Sequence, residues 1–454
     1  MFASINPATG EGIAEYPALD NAELRAALSR ADKAWHGWRT TTFEERARLM
    51  RQVGVLLRQR AAEYGRLMAL EMGKPIASGR GEAEKCATAC DYYAENGAAF
   101  LADDVITTDA SKSYVHYEPL GAVFAIMPWN FPFWQVIRFA APSLMAGNVG
   151  LLKHAANVPG CAAALETLFL DAGFPVGIFQ NLFVEHTQVR AIIRHRAVHA
   201  VTLTGSTRAG RDVAKQAGAQ LKKTVLELGG SDPYIVLDDA DLDLAVETCV
   251  SSRLINTGQS CIAAKRFVVV DSVRDDFTSR FVERMRATAM GDPLDERNVI
   301  GPLARRDLRD TLHDQVQRSV ARGASLLLGG QVPDGPGAFY PPTVLADVGK
   351  GMPAYSEELF GPVAAIIPAR NERAAIRIAN DSVFGLGAAV FTGDVERGER
   401  IAARELRAGS CFVNALVKSD ARLPFGGIKE SGYGRELSLH GIREFVNVKT
   451  VYVR

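Results

Sequence analysis

Two short segments that contain glycine hold residue types suited to thiol chemistry. NTGQSC, residues 256–261, places Cys261 in a polar loop, and LELGGSDP, residues 226–233, places Glu227 beside two glycines. A thiolate attacks electrophilic carbon, and a carboxylate can then deprotonate the water that hydrolyses the covalent product. A simple turn, a salt-bridged glutamate and an inert buried cysteine are the alternatives, but structural cysteines prefer apolar surroundings. Because a free thiol is mostly protonated at neutral pH, we expect nearby positive charge or a dipole to favour the thiolate.

A third segment, VTLTGSTRAG, has the pattern of a strand followed by a helix. The predicted strand ends at Thr204, and Gly205, Ser206 and Gly210 open the helix. Glycines let the backbone approach a phosphate, and the helix N-terminus offers N–H groups and partial positive charge. The spacing is Gly-x4-Gly rather than Gly-x-Gly-x-x-Gly, so an ordinary helix start capped by Ser or Thr explains the segment equally well.

The elements that position these residues are predicted from apolar periodicity. Residues 21–99 are rich in Ala, Leu, Arg and Glu and have apolar residues at three- and four-residue steps, which predicts helices. Residues 104–118 favour a strand-turn-strand unit, because Val, Ile, Thr and Tyr dominate. The last segment, FVNVKTVYVR, alternates like a strand. With no partner left in the chain, such an edge is expected to pair with another subunit.

From Gly121 onward, short apolar strands alternate with amphipathic helices, which indicates βαβ units around a parallel sheet. The first series of predicted strands is AVFAIMP, GLLKH, IFQNLF, AVTLT and DPYIVL, with helices at 159–172, 187–194 and 208–217. A second series is RFVVV, SLLLGG, AAIIPA, GAAVFT and CFVNA. The sequence therefore predicts an α/β protein with two such domains.

The composition is typical of a globular protein and excludes several classes of partner. The length of 454 residues predicts two or three domains, and 47% hydrophobic residues argue against disorder. Equal numbers of basic and acidic residues, 52 each, give no reason to expect a nucleic acid or an anionic membrane as partner. The first residues, MFASINPATGEG, lack the features of a signal peptide, and no apolar stretch is long enough to span a bilayer.

The six cysteines do not have the density of a disulfide framework. Cys86 and Cys90 have no matching Cys/His pair nearby, so a helical or core position explains them better than a metal site. We therefore expect no metal and a reducing cytoplasm as the setting.

Further motifs accompany the two reactive segments in a fixed order. Cys261 follows Glu227 by 34 positions. The other motifs are INPATGE near the start, PWNFP at 128–132, GNVGLLKHA at 147–155, TGST at 204–207, EELFGPV at 357–363 and PFGGIKESGYGRE at 424–436. Together they resemble the aldehyde dehydrogenase superfamily over nearly the whole chain, and their common order makes chance negligible.

The resemblance implies a catalytic set. Cys261 would be the nucleophile, and the side-chain amide of Asn130 with the backbone N–H of Cys261 would stabilise the oxyanion. Glu227 would activate the hydrolytic water. The implied reaction is the NAD(P)-dependent oxidation of an aldehyde to an acid through a thioester. A relative that transfers its acyl group to CoA typically lacks the base, so Glu227 argues against that reaction. An inert structural or binding homologue is disfavoured by the intact set.

The resemblance also implies a binding site for NAD or NADP. Its predicted residues are Pro128, Trp129, Lys153, Ala156, Thr204, Gly205, Ser206, Gly210, Leu228, Gly229, Glu358 and Phe360. Ala156 stands where NAD-specific relatives often carry a Glu, so no carboxylate repels a 2′-phosphate there and NADP should be tolerated.

The predicted substrate residues are similar to those of succinate-semialdehyde dehydrogenases. Arg138, eight positions after Asn130, matches an arginine that pairs with the distal carboxylate, and a guanidinium suits such a partner. The other predicted contacts are Trp134, Ser419 and Arg422. A structural ion pair for Arg138 and a solvated Arg422 are the alternatives, and another small aliphatic or ω-carboxylated aldehyde is the alternative substrate.

Three positions depart from the patterns of such families. Ile255 stands where succinate-semialdehyde dehydrogenases commonly have a second arginine, and Phe139 stands where many relatives have a lysine that relays protons. Glu436 would therefore need water or another partner in a relay. Ala263 replaces the second cysteine of a Cys-x-Cys redox pair.

The resemblance implies three structural parts. Residues 1–103 and 121–229 would form a Rossmann-like NAD(P)-binding domain, and residues 230–436 an α/β catalytic domain. Residues 104–120 and 437–454 would form a β flap that assembles a homodimer or homotetramer.

Overall fold

The computed structural model describes all 454 residues of the chain. Fifteen α-helices are present, together with two 3-10 turns at Ile255–Gly258 and Lys429–Ser431. The helices are α1 Asn21–Trp38, α2 Phe43–Gln59, α3 Ala61–Met72, α4 Ile76–Phe100, α5 Trp134–Met145, α6 Pro159–Asp171, α7 His186–Arg194, α8 Thr207–Gly218, α9 Leu242–Leu254, α10 Arg274–Arg286, α11 Arg306–Ala321, α12 Pro353–Ser356, α13 Glu372–Asn380, α14 Val395–Arg404 and α15 Ser438–Ile442.

Eighteen strands form four sheets. The strands are β1 Phe2–Ile5, β2 Gly12–Tyr16, β3 Asp104–Val105, β4 Lys112–Pro119, β5 Ala122–Met127, β6 Val149–His154, β7 Phe179–Asn181, β8 Val198–Thr204, β9 Lys223–Glu227, β10 Asp232–Val236, β11 Ala264–Val270, β12 Ser325–Leu328, β13 Thr343–Ala346, β14 Val363–Ala369, β15 Gly387–Phe391, β16 Ser410–Val413, β17 Gly432–Tyr433 and β18 Val446–Val453.

The first large sheet has the strand order β17-β9-β8-β5-β6-β7. Strands β5 to β9 run parallel, and β17 adds antiparallel to β9. Their residues are buried on both faces, which explains the near-continuous apolar runs of β5 and β6. After β5 the chain adds β6 and β7 on one side of that strand, and it then adds β8 and β9 on the other side. The strand order therefore reverses beside β5, where doubly wound sheets bind ligands.

The second large sheet has the order β12-β13-β14-β11-β10-β15-β16, and only β12 is antiparallel. Separate apolar clusters cover its two faces. The segment DPYIVL was predicted in the first series, but it is β10, the first strand of this second sheet along the chain, and Ser231 separates it from the glycines Gly229 and Gly230. The apolar runs in the sequence did not predict strands β9 and β13.

The third sheet has the order β18-β4-β3 and includes the predicted strand-turn-strand unit. The prediction that the terminal strand finds no partner in its own chain is wrong. Strand β18 pairs antiparallel with β4 through eight residue pairs, from Val446–Pro119 to Val453–Lys112. Adjacency in sequence could not reveal this pairing. The outer edge of β18 remains unpaired within the chain.

The predicted helical region at 21–99 contains α1 to α4. Asp20 caps α1 by accepting a hydrogen bond from Glu23 N, and Asp20 N donates in return to the Glu23 carboxylate. Thr42 caps α2. Gly73 ends α3 in the left-handed conformation, with φ of 75°. Cys86 and Cys90 are both buried on α4, which confirms the prediction of helical core positions.

A buried ion pair fixes the start of α5, the helix that follows Asn130. Lys74 Nζ lies 2.6 Å from Glu82 Oε2, and both side chains are almost fully buried. Glu82 Oε1 accepts hydrogen bonds from the N–H groups of Phe133 and Trp134, at 2.9 Å each. These N–H groups begin the helix and have no acceptor within it, so Glu82 satisfies them.

Replacing Glu82 with Ala should destabilise the chain by about 3–5 kcal/mol, because Lys74 would keep a buried charge without a partner. The urea midpoint of unfolding is the measurement. Glu296→Ala is the matched control. It removes the exposed partner of Arg80, another α4 residue whose ion pair is also 2.6 Å long, and should leave the urea midpoint almost unchanged because exposed ion pairs contribute little. Equal midpoints for the two variants would contradict a supporting role of the buried pair.

Candidate active site

A cleft of about 640 Å³ opens at the carboxyl ends of β5, β8 and β9, and the loops that precede β11 and β14 of the second large sheet contribute to its lining. It brings together most of the predicted catalytic and cofactor residues. Its lining consists of Pro128, Trp129, Asn130, Gln135, Thr204, Gly205, Ser206, Leu228, Gly229, Cys261, Leu308, Glu358 and Phe360. Gln135 and Leu308 were not predicted, because neither belongs to a motif that stands out in the sequence.

The loop before Cys261 is held in an unusual backbone conformation. Asn256 and Thr257 have φ of 53° and 58°, and Gly258 follows with φ of 74°. Non-glycine residues rarely adopt this left-handed region, so the surrounding structure must enforce it. Thr257 Oγ1 accepts a hydrogen bond from Gly301 N at 3.0 Å. A Cβ on Gly258 would overlap the carbonyl group of Gly361, which explains the glycine of NTGQSC.

A network of amide groups joins this loop to Asn130. Asn130 Nδ2 donates to the carbonyl oxygen of Gln259 at 3.0 Å, and Gln135 Nε2 donates to Asn130 Oδ1 at 3.0 Å. Asn256 Nδ2 donates to the carbonyl oxygen of Asn130 at 2.7 Å. The second amide hydrogen of Asn130 and the backbone N–H of Cys261 have no acceptor in the protein. The two donors expected for an oxyanion are therefore both available.

Cys261 is half-buried, and burial dominates its ionisation. Burial raises the pKa of the thiol to about 12, while the positive charges of Arg138 and Lys265 oppose the increase. This differs from the expectation that the site favours the thiolate. The cations are present as expected, but the cost of desolvating a thiolate exceeds their attraction. Lys265 Nζ is held by the carbonyl oxygens of Ser260 and Cys261, at 2.9 and 2.8 Å.

Glu227 is buried, and neither carboxyl oxygen has a hydrogen-bond partner in the protein. Burial raises its pKa well above the ordinary value, repulsion by Glu436 adds to the increase, and Arg138 opposes it. A Cβ on Gly426 would lie 2.7 Å from Glu227 Oε1, so the first glycine of the PFGG motif makes room for this carboxyl group. A carboxylate with a raised pKa is a stronger base than an exposed glutamate.

Arg138 and Glu436 form an ion pair in which both side chains are buried. Arg138 Nη2 also donates to Thr204 Oγ1 at 3.4 Å, and its guanidinium lies over the ring of Phe425. The missing lysine at Phe139 therefore does not leave Glu436 without a cation. Arg138 retains N–H groups that no protein acceptor uses, but a substrate carboxylate would share its charge with Glu436. Its contact with substrate stays a prediction.

The predicted cofactor residues differ in what surrounds them. Lys153 is buried, has no ion pair or hydrogen bond, and burial lowers the pKa of its ammonium group. Ser206 Oγ caps α8 by accepting a hydrogen bond from Ala209 N at 3.3 Å. A Cβ on Gly210 would lie 2.5 Å from Leu228 Cδ2. Gly210 is therefore needed for packing, whereas close approach to a phosphate was predicted. Ala156 is exposed and lies outside the cleft lining.

Glu358 and Cys261 together explain the two glycines that follow Leu228, since a Cβ on Gly230 would lie 2.7 Å from the carbonyl oxygen of Cys261. Gly230 N donates to Glu358 Oε1 at 2.9 Å, and a Cβ on Gly229 would lie 2.6 Å from Glu358 Oε2. Lys265 Nζ lies 3.8 Å from Glu358 Oε1. These contacts hold the Glu358 carboxyl group at the edge of the cleft. Beside it, the rings of Trp129 and Phe360 meet edge to face with centroids 5.7 Å apart.

On the side of α5 away from the sheet, Trp134 Nε1 donates to Ser419 Oγ at 3.1 Å. Two of the predicted substrate residues are thus in contact. Arg422 is not brought to them, because it pairs with Asp420 at 2.7 Å and its side chain is 74% exposed. Sequence reasoning missed Lys85 on α4, whose Nζ donates to Ser419 Oγ at 2.7 Å.

Comparison with known proteins places this arrangement in a family. The profile of the aldehyde dehydrogenase family matches residues 1–451. The chain belongs to the aldehyde dehydrogenase family. It is 50% identical over 449 residues to the succinate semialdehyde dehydrogenase [NAD(P)+] Sad of Escherichia coli K12, covering 99% of this chain and 97% of that protein. It is also 50% identical to succinate-semialdehyde dehydrogenase [NADP(+)] 1 of Mycobacterium tuberculosis H37Rv, covering 100% and 99% of the two chains.

Solved structures of the family share the fold. The crystal structure of succinic semialdehyde dehydrogenase from Streptococcus pyogenes, in complex with NADP+, matches with a TM-score of 0.98 at 38% identity and covers both chains completely. The α/β architecture predicted from the sequence is thereby confirmed. None of the helices of this family member combines the length and the apolar character needed to cross a membrane.

The pH dependence of Cys261 alkylation tests the electrostatics of this dehydrogenase site. With the thiol pKa raised to about 12, the thiolate fraction should rise about tenfold per pH unit from about pH 7 to about pH 10. The rate of iodoacetamide alkylation, followed by mass spectrometry of the Cys261 peptide, should rise accordingly without a plateau. Cys261→Ser provides the blank. A plateau below about pH 8 would show that the positive charges outweigh burial.

Proposed function

We propose that this chain is an NAD(P)-dependent dehydrogenase that oxidises succinate semialdehyde to succinate. The observation that carries the proposal is that Cys261 and Asn130 line one cleft, while Glu227 is buried directly before Leu228, which also lines it. The polar contact between Trp134 and Ser419 adds to it. The relatives from E. coli and M. tuberculosis, each half identical to the chain, carry the name of this activity.

Cys261 starts the reaction. Its thiol must lose its proton to solvent water before attack, and the positive charges of Arg138 and Lys265 favour that loss. The sulfur adds to the aldehyde carbon, and the carbonyl oxygen becomes an oxyanion. The free amide hydrogen of Asn130 and the N–H of Cys261 then donate to it. Each such donor contributes about 3–4 kcal/mol of transition-state stabilisation in comparable sites.

The surroundings of the cleft fit a nicotinamide dinucleotide. Lys153 offers a buried ammonium group without a protein partner, and the start of α8 offers backbone N–H groups to phosphate. Glu358 would hold the nicotinamide ribose, with Trp129 and Phe360 as apolar walls. When bound, NAD+ or NADP+ supplies the hydride acceptor that turns the thiohemiacetal into a thioester.

Glu227 completes the reaction by hydrolysing the thioester. Its two carboxyl oxygens have no protein donor, so both are free to accept a hydrogen bond from water. Proton loss from that water to Glu227 gives the nucleophile that releases the acid and returns Cys261 to its thiol form.

The distal carboxylate of the substrate would be recognised by Ser419 and Arg138, with Trp134 holding Ser419 in place. A buried carboxylate needs hydrogen bonds and positive charge to offset its desolvation, which an uncharged aldehyde does not require. We further propose that β18, whose outer edge is unpaired, assembles the chain into a homodimer or homotetramer. Six free cysteines support a reducing cytoplasm as its place of action.

A substrate comparison tests the proposal. The kcat/KM for succinate semialdehyde should exceed that for butanal, which has the same carbon number and no carboxylate, by about 10- to 1,000-fold. Both NAD+ and NADP+ should support turnover, measured by the absorbance of the reduced cofactor. Equal kcat/KM values for the two aldehydes would favour the alternative of a dehydrogenase for small aliphatic aldehydes. No turnover of any aldehyde would favour an inert homologue.

A further inference from the structure

Lys85 lies in a cluster of polar groups between α4, α5 and the loop that contains Ser419. Its Nζ donates to Ser419 Oγ at 2.7 Å and lies 4.2 Å from the centre of the Trp134 ring. It is half-buried and forms no salt bridge with any residue of the chain. A partly desolvated ammonium group without a counter-ion is unfavourable, so the position of Lys85 suggests that an anion binds there.

The acidic residues around Lys85 are each neutralised by another cation. Glu82 is paired with Lys74 at 2.6 Å and also accepts two backbone hydrogen bonds. Asp420 is paired with Arg422 at 2.7 Å. The other cation whose charge reaches Lys85 is Arg138, itself paired with Glu436. The ammonium group of Lys85 is thus the unbalanced charge of this cluster.

The hydrogen-bond inventory of Ser419 leads to the same conclusion. Ser419 Oγ accepts from Lys85 Nζ and from Trp134 Nε1, which occupies both of its lone pairs. Its hydroxyl proton must therefore point elsewhere, and no protein acceptor receives it. Lys85 keeps two further N–H donors. The free N–H groups of Lys85 and the hydroxyl proton of Ser419 thus lie together with one positive charge and no protein acceptor. A carboxylate would complement this group of donors.

We infer that Lys85 is a specificity-determining residue that, together with Ser419, binds the distal carboxylate of the substrate. This inference rests on the proposed function, because it names the group that recognises the ω-carboxylated aldehyde. It also accounts for Ile255, which stands where succinate-semialdehyde dehydrogenases commonly have a second arginine. The positive charge is supplied from α4 instead.

The ionisation of Lys85 is compatible with this role. Burial lowers the pKa of its ammonium group to about 8, and the positive charge of Arg138 contributes to the decrease. At pH 7 the group is still mostly protonated. A bound carboxylate would favour the protonated form further, since an opposite charge nearby stabilises it.

The test compares Lys85→Met with the wild-type enzyme on two aldehydes. The kcat/KM for succinate semialdehyde should fall about 10- to 100-fold, as expected for the loss of a charge-assisted hydrogen bond, while butanal changes less than about twofold. Lys418→Met is the matched control, because it removes an exposed positive charge one residue from Ser419. It should leave both values nearly unchanged.

Succinate provides a second readout that does not depend on turnover of the semialdehyde. It should inhibit butanal oxidation competitively in the wild type, and its inhibition constant should rise by a similar factor in Lys85→Met. A wild-type preference for succinate semialdehyde that persists in Lys85→Met would overturn the role of Lys85 alone. Equal losses on both aldehydes would assign Lys85 a structural role. A wild type without any preference would overturn the proposed function, and this inference with it.

Discussion

The active site depends on the hydrogen bond from the side-chain amide of Asn130 to the carbonyl oxygen of Gln259. Asn130 follows a strand of the first large sheet, whereas Gln259 lies in the strained loop that connects strands of the second. The bond therefore fixes the two halves of the site relative to each other. Asn256 bonds to the backbone of both residues, so the contact is reinforced from within the loop. Without it, Asn130 would not be held beside the loop that ends at Cys261.

Burial of charge is the second constraint, and it acts on every reactive group. Desolvation raises the pKa values of Cys261, Glu227 and Glu436, and one guanidinium, that of Arg138, opposes all three increases. The free enzyme therefore keeps its thiol protonated and its base strong. A protonated thiol reacts more slowly with electrophiles and oxidants than a thiolate does. The burial of these groups also gives Arg138 an electrostatic function that is separate from any contact with substrate.

Much of this was predictable, because the relevant signals are local in sequence. The roles predicted for Cys261 and Glu227 follow from short motifs, and the parallel strands from apolar runs that are buried on both faces. The features that escaped prediction depend on distance in the chain or on burial. Lys85 meets Ser419 across more than three hundred positions, and β18 finds β4 in the same way. The raised pKa of the nucleophile was missed because nearby cations can be read from a sequence, but the extent of desolvation cannot.

The order of the two chemical steps is the most direct test of the account, since Glu227 is needed only after the thioester has formed. In Glu227→Gln, rapid mixing with succinate semialdehyde and NADP+ should give a burst of reduced cofactor equal to the number of sites, followed by a slow steady state. Mass spectrometry of the quenched enzyme should find the acyl group on the Cys261 peptide. A variant that shows neither a burst nor a trapped acyl-enzyme, and that loses hydride transfer itself, would contradict the assignment of Glu227 as the hydrolytic base.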